Sequence, residues 1–201
     1  MAQLSIKTLA YGKALQKVIL EQGETSVTVP DGITELAMGA FDKLETLEEV
    51  ILPDSVEQCV SSVFSNCTSL RNIRLSENLP GLGSCSFYNC RSLEEIHLPD
   101  SIREIGNEAF MNCVSLREIV LPVNTERIWF RVFSGCTSLR RVFFPAGFEY
   151  IKPDAFDGCT ALCRLDFAVL PAPGTMLHLQ LQQIAEKHPQ LCINGQSSGQ
   201  K

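Results

Sequence analysis

The chain has 201 residues, 45% of them hydrophobic, and a formal net charge of -6. The acidic balance argues against nucleic acid, whose phosphates call for a basic surface, and against an anionic membrane surface. No apolar run reaches the roughly 18 residues that insert across a bilayer, and the length suits one domain or one short repeat array.

The N-terminus, MAQLSIKTLAYGKALQKVIL, interleaves lysines with apolar residues and lacks the continuous apolar stretch and small-residue cleavage site of a secretory signal. The expected compartment is the cytoplasm, or the cell surface or exterior if a signal was removed. Leu4 and Ile6 fall in phase with inward strand columns further along. Tyr11 to Gln22 predicts a helix with Leu15, Val18 and Ile19 on one face. Residues 1–23 are therefore expected to form an N-terminal cap with a helix.

From residue 24 to 167 the chain repeats. Phe41, Phe64, Phe87, Phe110, Phe133 and Phe156 recur every 23 residues. Pro30, Pro53, Pro99, Pro122 and Pro145 keep the same phase, as do Cys67, Cys90, Cys113, Cys136 and Cys159, and the leucines from Leu47 to Leu162. A period of this length marks a solenoid, in which one unit cannot bury its own apolar face and stacked neighbours do so. Within Phe87 to Ala109, the segment Leu93 to Leu98 ends in apolar–polar alternation and predicts a half-buried strand. Pro99 ends it, because proline removes a ladder donor. Ile102 and Ile105 point inward, and Gly106 allows a tight turn. Asn107 to Asn112 predicts a short helical turn with Ala109 and Phe110 facing the core. Gly135 and Gly158 replace Asn112 in later units, which predicts a left-handed backbone there.

After Phe167, Pro171, Pro173 and Gly174 form a link rich in breakers. Residues 175–187 predict an amphipathic helix with Leu177, Leu181, Ile184 and Ala185 apolar. Leu191-Cys192-Ile193 predicts a last short strand. Residues 168–194 are thus expected to be a C-terminal cap with a helix, and 195–201 a polar, disordered tail.

Candidate chemistry is sparse. Nine cysteines, an odd number, cannot all pair within one chain. Leu44 occupies the cysteine column, and Cys59 stands where other units carry leucine or isoleucine. Both point to reduced, buried, structural thiols, with Cys163 the exception because its column is otherwise charged. His97, His178 and His188 have no serine, cysteine or carboxylate at a recognisable spacing. The Cys159-x-x-x-Cys163 and Cys85-x-x-x-x-Cys90 pairs lack the second pair of a zinc signature. Asn66-Cys67-Thr68 matches a glycosylation sequon but sits beside a core cysteine. The expectation is no catalytic residue, no metal site and no cofactor.

The outward strand positions carry more. One column runs Glu49, Asn72, Glu95, Glu118, Arg141, Arg164; the next runs Ile51, Arg74, His97, Val120, Phe143, Asp166. The first changes sign along the array, and the second places Val120 and Phe143 near Arg141. Aromatic residues and arginine are enriched at binding hot spots. Glu95, Glu118, Val120, Arg141, Phe143 and Arg164 are therefore candidate protein-binding residues. Trp129 and Phe130 replace small or polar residues at a turn and form a second candidate. Trp129 either anchors a partner or folds over a thin spot left by Thr125, which interrupts an apolar column.

The unit L-x-x-I-x-L-P-D-S-I-x-x-I-G-x-x-A-F-x-N-C-x-S, in phase over six consecutive units, resembles the BspA-like class of leucine-rich repeats. The resemblance implies a curved solenoid with strands on one face and a protein-binding or adhesive role; relatives are typically surface proteins of mucosa-associated bacteria and some parasitic protozoa. The expected fold is an α/β leucine-rich-repeat solenoid, with a parallel sheet on one face and short helical or turn segments on the other. The expected function is a non-catalytic module that binds a protein partner across the strand face, as adaptor, sensor or effector subunit. A surface adhesin is the alternative, and an assembly subunit with weak self-association a third reading. No nucleic acid and no membrane insertion are expected.

Overall fold

The structure, a computed structural model, describes residues 1–195. It is a β-solenoid of about 7 turns with little helix. Strands Ser26–Thr28, Glu49–Ile51 and Asn72–Arg74 pair in parallel, each residue against the one 23 positions later. Glu118–Val120, Arg141–Phe144 and Arg164–Phe167 do the same. The coils are numbered here from the one carrying Ser26–Thr28, so that Arg164–Phe167 belongs to the seventh. Alternation places Val50, Ile119, Val142 and Leu165 in the core, each at most 1% exposed.

The fourth coil departs from the expectation. Glu95, Ile96 and His97 form no strand, and the ladder is open on both sides of them. Ile73 and Ile96 are half-buried there, unlike their equivalents. Elsewhere in these coils two glycines let backbones approach closely. A Cβ on Gly106 would lie 2.5 Å from the Ser84 nitrogen, and one on Gly83 would lie 2.5 Å from the Val60 carbonyl.

A second ladder was not anticipated from the sequence. Glu35–Leu36, Gln58–Cys59, Gly81–Leu82, Glu104–Ile105, Arg127–Ile128 and Tyr150–Ile151 are two-residue strands, paired in parallel where they are continuous. The expected helical turn at Asn107–Asn112 is also absent. The segment is a turn in which Glu108 (φ 57°) and Asn112 (φ 63°) are left-handed. These flips aim backbone donors along the stack, so that Glu108, Phe110 and Asn112 donate to carbonyls of Phe130, Val132 and Ser134 one coil on. An α-helical turn would direct the same groups within the coil. Gly135 and Gly158 are left-handed as expected.

The phenylalanine column is the centre of the core. Successive rings from Phe41 to Phe156 lie 4.8 to 5.6 Å apart between centroids, all at 0% exposure. Burying each such side chain contributes about 1.5–3 kcal/mol.

The N-terminal cap is a correction. Residues 11–22 are not a helix: Gln3–Leu9 and Gly12–Ile19 form an antiparallel hairpin. Leu4 and Ile6 accordingly do not extend the inward columns, and Ile6 is exposed. The second hairpin strand pairs with Glu35–Leu36, and Thr34 and Ala37 donate to the carbonyls of Lys13 and Leu15. An open ladder end leaves backbone groups unpaired. A strand satisfies them; a helix, with its own groups bonded internally, does not.

At the other end the helix spans Met176–Lys187, with the Thr175 hydroxyl accepting from His178 N–H. Leu177, Leu181 and Ile184 are buried, and the helix packs against Tyr150–Ile151 of the sixth coil. Gln180 is buried too, and its side-chain oxygen accepts from Ile151 N–H at 3.1 Å. Cys192–Gly195 adds a parallel strand to Arg164–Phe167. Gly195 is thus part of a strand rather than of the expected tail, whose residues 196–201 lie outside the described ones.

Candidate functional site

The strand face holds the first group of candidates. Register sets Glu118 beside Arg141, Val120 beside Phe143, and Arg141 beside Arg164. Val120 is 61% exposed and Phe143 half-buried. The guanidinium of Arg141 lies over the Phe143 ring, 4.1 Å from its centroid, a cation–π contact that flattens the arginine onto the sheet.

The charge partner of Arg141 lies on the following strand. Its Nε donates to Asp166 Oδ2 rather than to Glu118, and Arg164 Nε donates to Asp166 Oδ1 at 2.8 Å. Burial pushes the Asp166 carboxyl up, but the two guanidinium bonds outweigh it and hold the group below its ordinary value. Asp166 therefore fixes both arginines and, through Arg141, the aromatic ring. Asp166 is diagonal to Arg141 across adjacent strands, a reach that long side chains make; strand register, once assumed, was the available signal.

Glu95 stays exposed but outside the sheet. Beside it opens a groove of about 640 Å³, lined among others by Ile51, Arg74, His97 and Val120. Arg74 is tied down within it by both oxygens of Asp54, at 3.0 Å each.

Trp129 and Phe130 are not part of this face. They follow the second ladder and are 40% and 46% exposed. Trp129 packs on Tyr150 of the next coil, with 5.6 Å between centroids. Among the described residues the buried Thr125 hydroxyl has no hydrogen-bond partner.

Among the described residues, no group of three or more His, Cys, Asp or Glu is placed to hold a metal ion. No helix among them is long and apolar enough to cross a membrane. The arrangement offers apolar contact bordered by oriented charge, which suits a macromolecular surface.

Residues 21–128 match a family model described as a BspA type leucine rich repeat region, in 6 copies. The structure carries the same coil further, to Phe167. A leucine-rich repeat protein of T. pallidum superposes with a TM-score of 0.74 at 26% identity, covering 95% of this chain and 96% of that one. A leucine-rich repeat protein from Bacteroides ovatus gives a TM-score of 0.62 at 19% identity, covering 98% of this chain and 54% of that one. The pneumococcal vaccine antigen PcpA gives 0.72 at 17% identity, covering 96% and 48%. The chain thus spans about half the length of the last two. No curated protein matches it.

Proposed function

The chain belongs to the BspA-type leucine-rich repeat family, and on that footing we propose that it is a non-catalytic protein-interaction module whose partner lies across the strand face. One observation carries the reading: Val120, Phe143 and Arg141 form an accessible apolar and cationic patch in register on adjacent strands, on a sheet whose neighbouring charges are held in place by Asp166. Preset side chains lose less conformational freedom on binding. Such a module acts as an adaptor, sensor or effector subunit.

The test is affinity capture from the native organism with mass spectrometry, followed by binding measurements on the captured partner. Phe143→Ala together with Arg141→Glu is expected to weaken binding at least tenfold, about 1.4 kcal/mol. Asn72→Ala with Arg74→Ala, three coils earlier, is expected to matter less. Equal effects from both pairs would mean that the contact is diffuse or lies elsewhere, and no effect from either would make the Trp129–Phe130 edge the next candidate. Labelling of the native protein by an impermeant reagent on intact cells would turn the reading to surface adhesion.

A further inference from the structure

We propose that Cys163 and Cys192 form a dithiol site that reacts with a small disulfide and closes reversibly into an intramolecular disulfide, pinning the C-terminal strand to the seventh coil. Packing does not explain these two residues as it explains the other cysteines. Cys59 and the column from Cys67 to Cys159 are buried, and Cys85 is half-buried, its Sγ 3.6 Å from Glu108 Oε2. Cys163 and Cys192 are exposed. Cys163 stands in a column otherwise filled by Glu48, Arg71, Glu94, Arg117 and Arg140. Cys192 takes the outward position beside Arg164. Neither fills space in the core.

The fold brings the two together. The strand Cys192–Gly195 sets Cys192 against Arg164, and the Cys192 N–H donates to the Cys163 carbonyl at 2.9 Å. Cys192 is therefore diagonal to Cys163 across neighbouring chain segments. A strand spacing of about 4.8 Å and a rise of about 3.3 Å put the two Cα atoms about 5.8 Å apart. Disulfides span roughly 4.4–6.8 Å between Cα atoms. Strict alternation would send the two side chains to opposite faces, but it does not hold at this corner. Leu162 and Leu165 take the inward positions, and Cys163 and Arg164 between them are both exposed. Cys163 thus shares the outer surface with Cys192.

One rotation separates the reduced geometry from the bonded one. Cys163 Sγ donates to the Arg140 carbonyl at 3.4 Å, on the preceding coil and away from Cys192. The same carbonyl already accepts from the Cys163 and Arg164 N–H groups, and a thiol is a weak donor, so the sulfur leaves it at little cost. A turn about χ1 between staggered rotamers swings it towards Cys192.

The chemistry is thiol–disulfide exchange. A thiolate of the pair attacks one sulfur of the small disulfide, forming a mixed disulfide and expelling a small thiolate. The second cysteine, as thiolate, attacks the sulfur of the first and expels the other small thiolate. Both cysteine thiols are oxidised, the small disulfide is reduced to its two thiols, and the cysteine protons pass to the departing thiolates. The product closes a loop around the helix Met176–Lys187, which restricts the unfolded cap. It also secures the last strand beside Asp166, the residue that holds Arg141 and Arg164.

Glutathione disulfide added to the folded wild-type chain, at dilute protein, tests it. Peptide mapping is expected to show one cross-link, joining Cys163 to Cys192, with the other seven of the nine cysteines alkylated after denaturation. Reductant is expected to restore the original mass. Cys163→Ser and Cys192→Ser change exposed positions, and each is expected to stop at a single mixed disulfide, one glutathione heavier. The oxidised wild type is expected to melt several degrees above the reduced chain, a shift that neither variant gains. Wild type that accumulates two glutathiones without a cross-link overturns the proposal. So does wild type that stays unmodified, pairs Cys163 or Cys192 with another cysteine, or links two chains. A Cys163–Cys192 cross-link that leaves the Tm unchanged overturns the pinning of the strand.

Discussion

At the scale of single residues, the cysteine column shows how a polar group is used inside an apolar core. Cys67, Cys90, Cys113, Cys136 and Cys159 each donate S–H to the carbonyl of Phe41, Phe64, Phe87, Phe110 and Phe133, at 3.0 to 3.1 Å. Leu44 replaces cysteine in the first coil, whose neighbour is the hairpin rather than another repeat. Burial pushes the thiols of Cys67 and Cys159 up to about 12 and raises Cys90, Cys113 and Cys136 well above their ordinary value. The thiolate is the nucleophile, so these groups are inert in the folded chain. A thiol reagent on the native protein is expected to modify Cys163 and Cys192 first, both being exposed. Peptide mapping after brief labelling checks this. Denaturing alkylation without reductant is expected to count all nine cysteines as free thiols; a shortfall of two or more would mean disulfides. Thr125 is the opposite case, a buried hydroxyl without a partner among the described residues. An unsatisfied buried group costs about 1–3 kcal/mol. Thr125→Val, nearly the same shape, is expected to raise stability by about 1 kcal/mol in urea unfolding. No change would place a water on the hydroxyl.

At the scale of elements, the two caps explain what a reading along the chain can and cannot find. The C-terminal helix carries its own signals, a Thr175 cap and apolar residues at helical spacing, and it spans Met176–Lys187. The N-terminal segment also has helical spacing in Leu15, Val18 and Ile19, yet it is a strand, because the open second ladder beside it supplies backbone partners. That ladder rests on two-residue strands, too short for any alternation to show. The glycines at its corner are legible only in space. Gly106 does not have a positive φ; it is required because the preceding coil passes through the position of a Cβ. Gly106→Ala must move backbone and is expected to cost about 1–3 kcal/mol, measured by thermal or urea unfolding. A neutral result would show that the coils separate there without penalty.

At the scale of the whole molecule, a repeat array is a row of units held by their neighbours, with stability close to a sum over interfaces. Phe110 is stacked on both sides, at 5.3 and 5.6 Å, whereas Phe41 has one ring neighbour, at 4.8 Å. Phe110→Ala is expected to cost about 3–5 kcal/mol and Phe41→Ala distinctly less, from paired denaturation curves. Equal losses would mean that the coils do not share the load through the column. The sequence by itself determined the period, the inward columns and therefore the solenoid, because each depends on residue type at a fixed spacing. It also placed Glu118, Val120, Arg141 and Phe143 on one face, since strand alternation and a constant repeat leave no other arrangement. Only the tertiary structure decided that Arg141 turns to Asp166, that the fourth coil leaves the sheet, and that a hairpin closes the first coil. Each of those outcomes depends on which groups meet between coils, and a competition among neighbours is settled in space rather than by spacing along the chain.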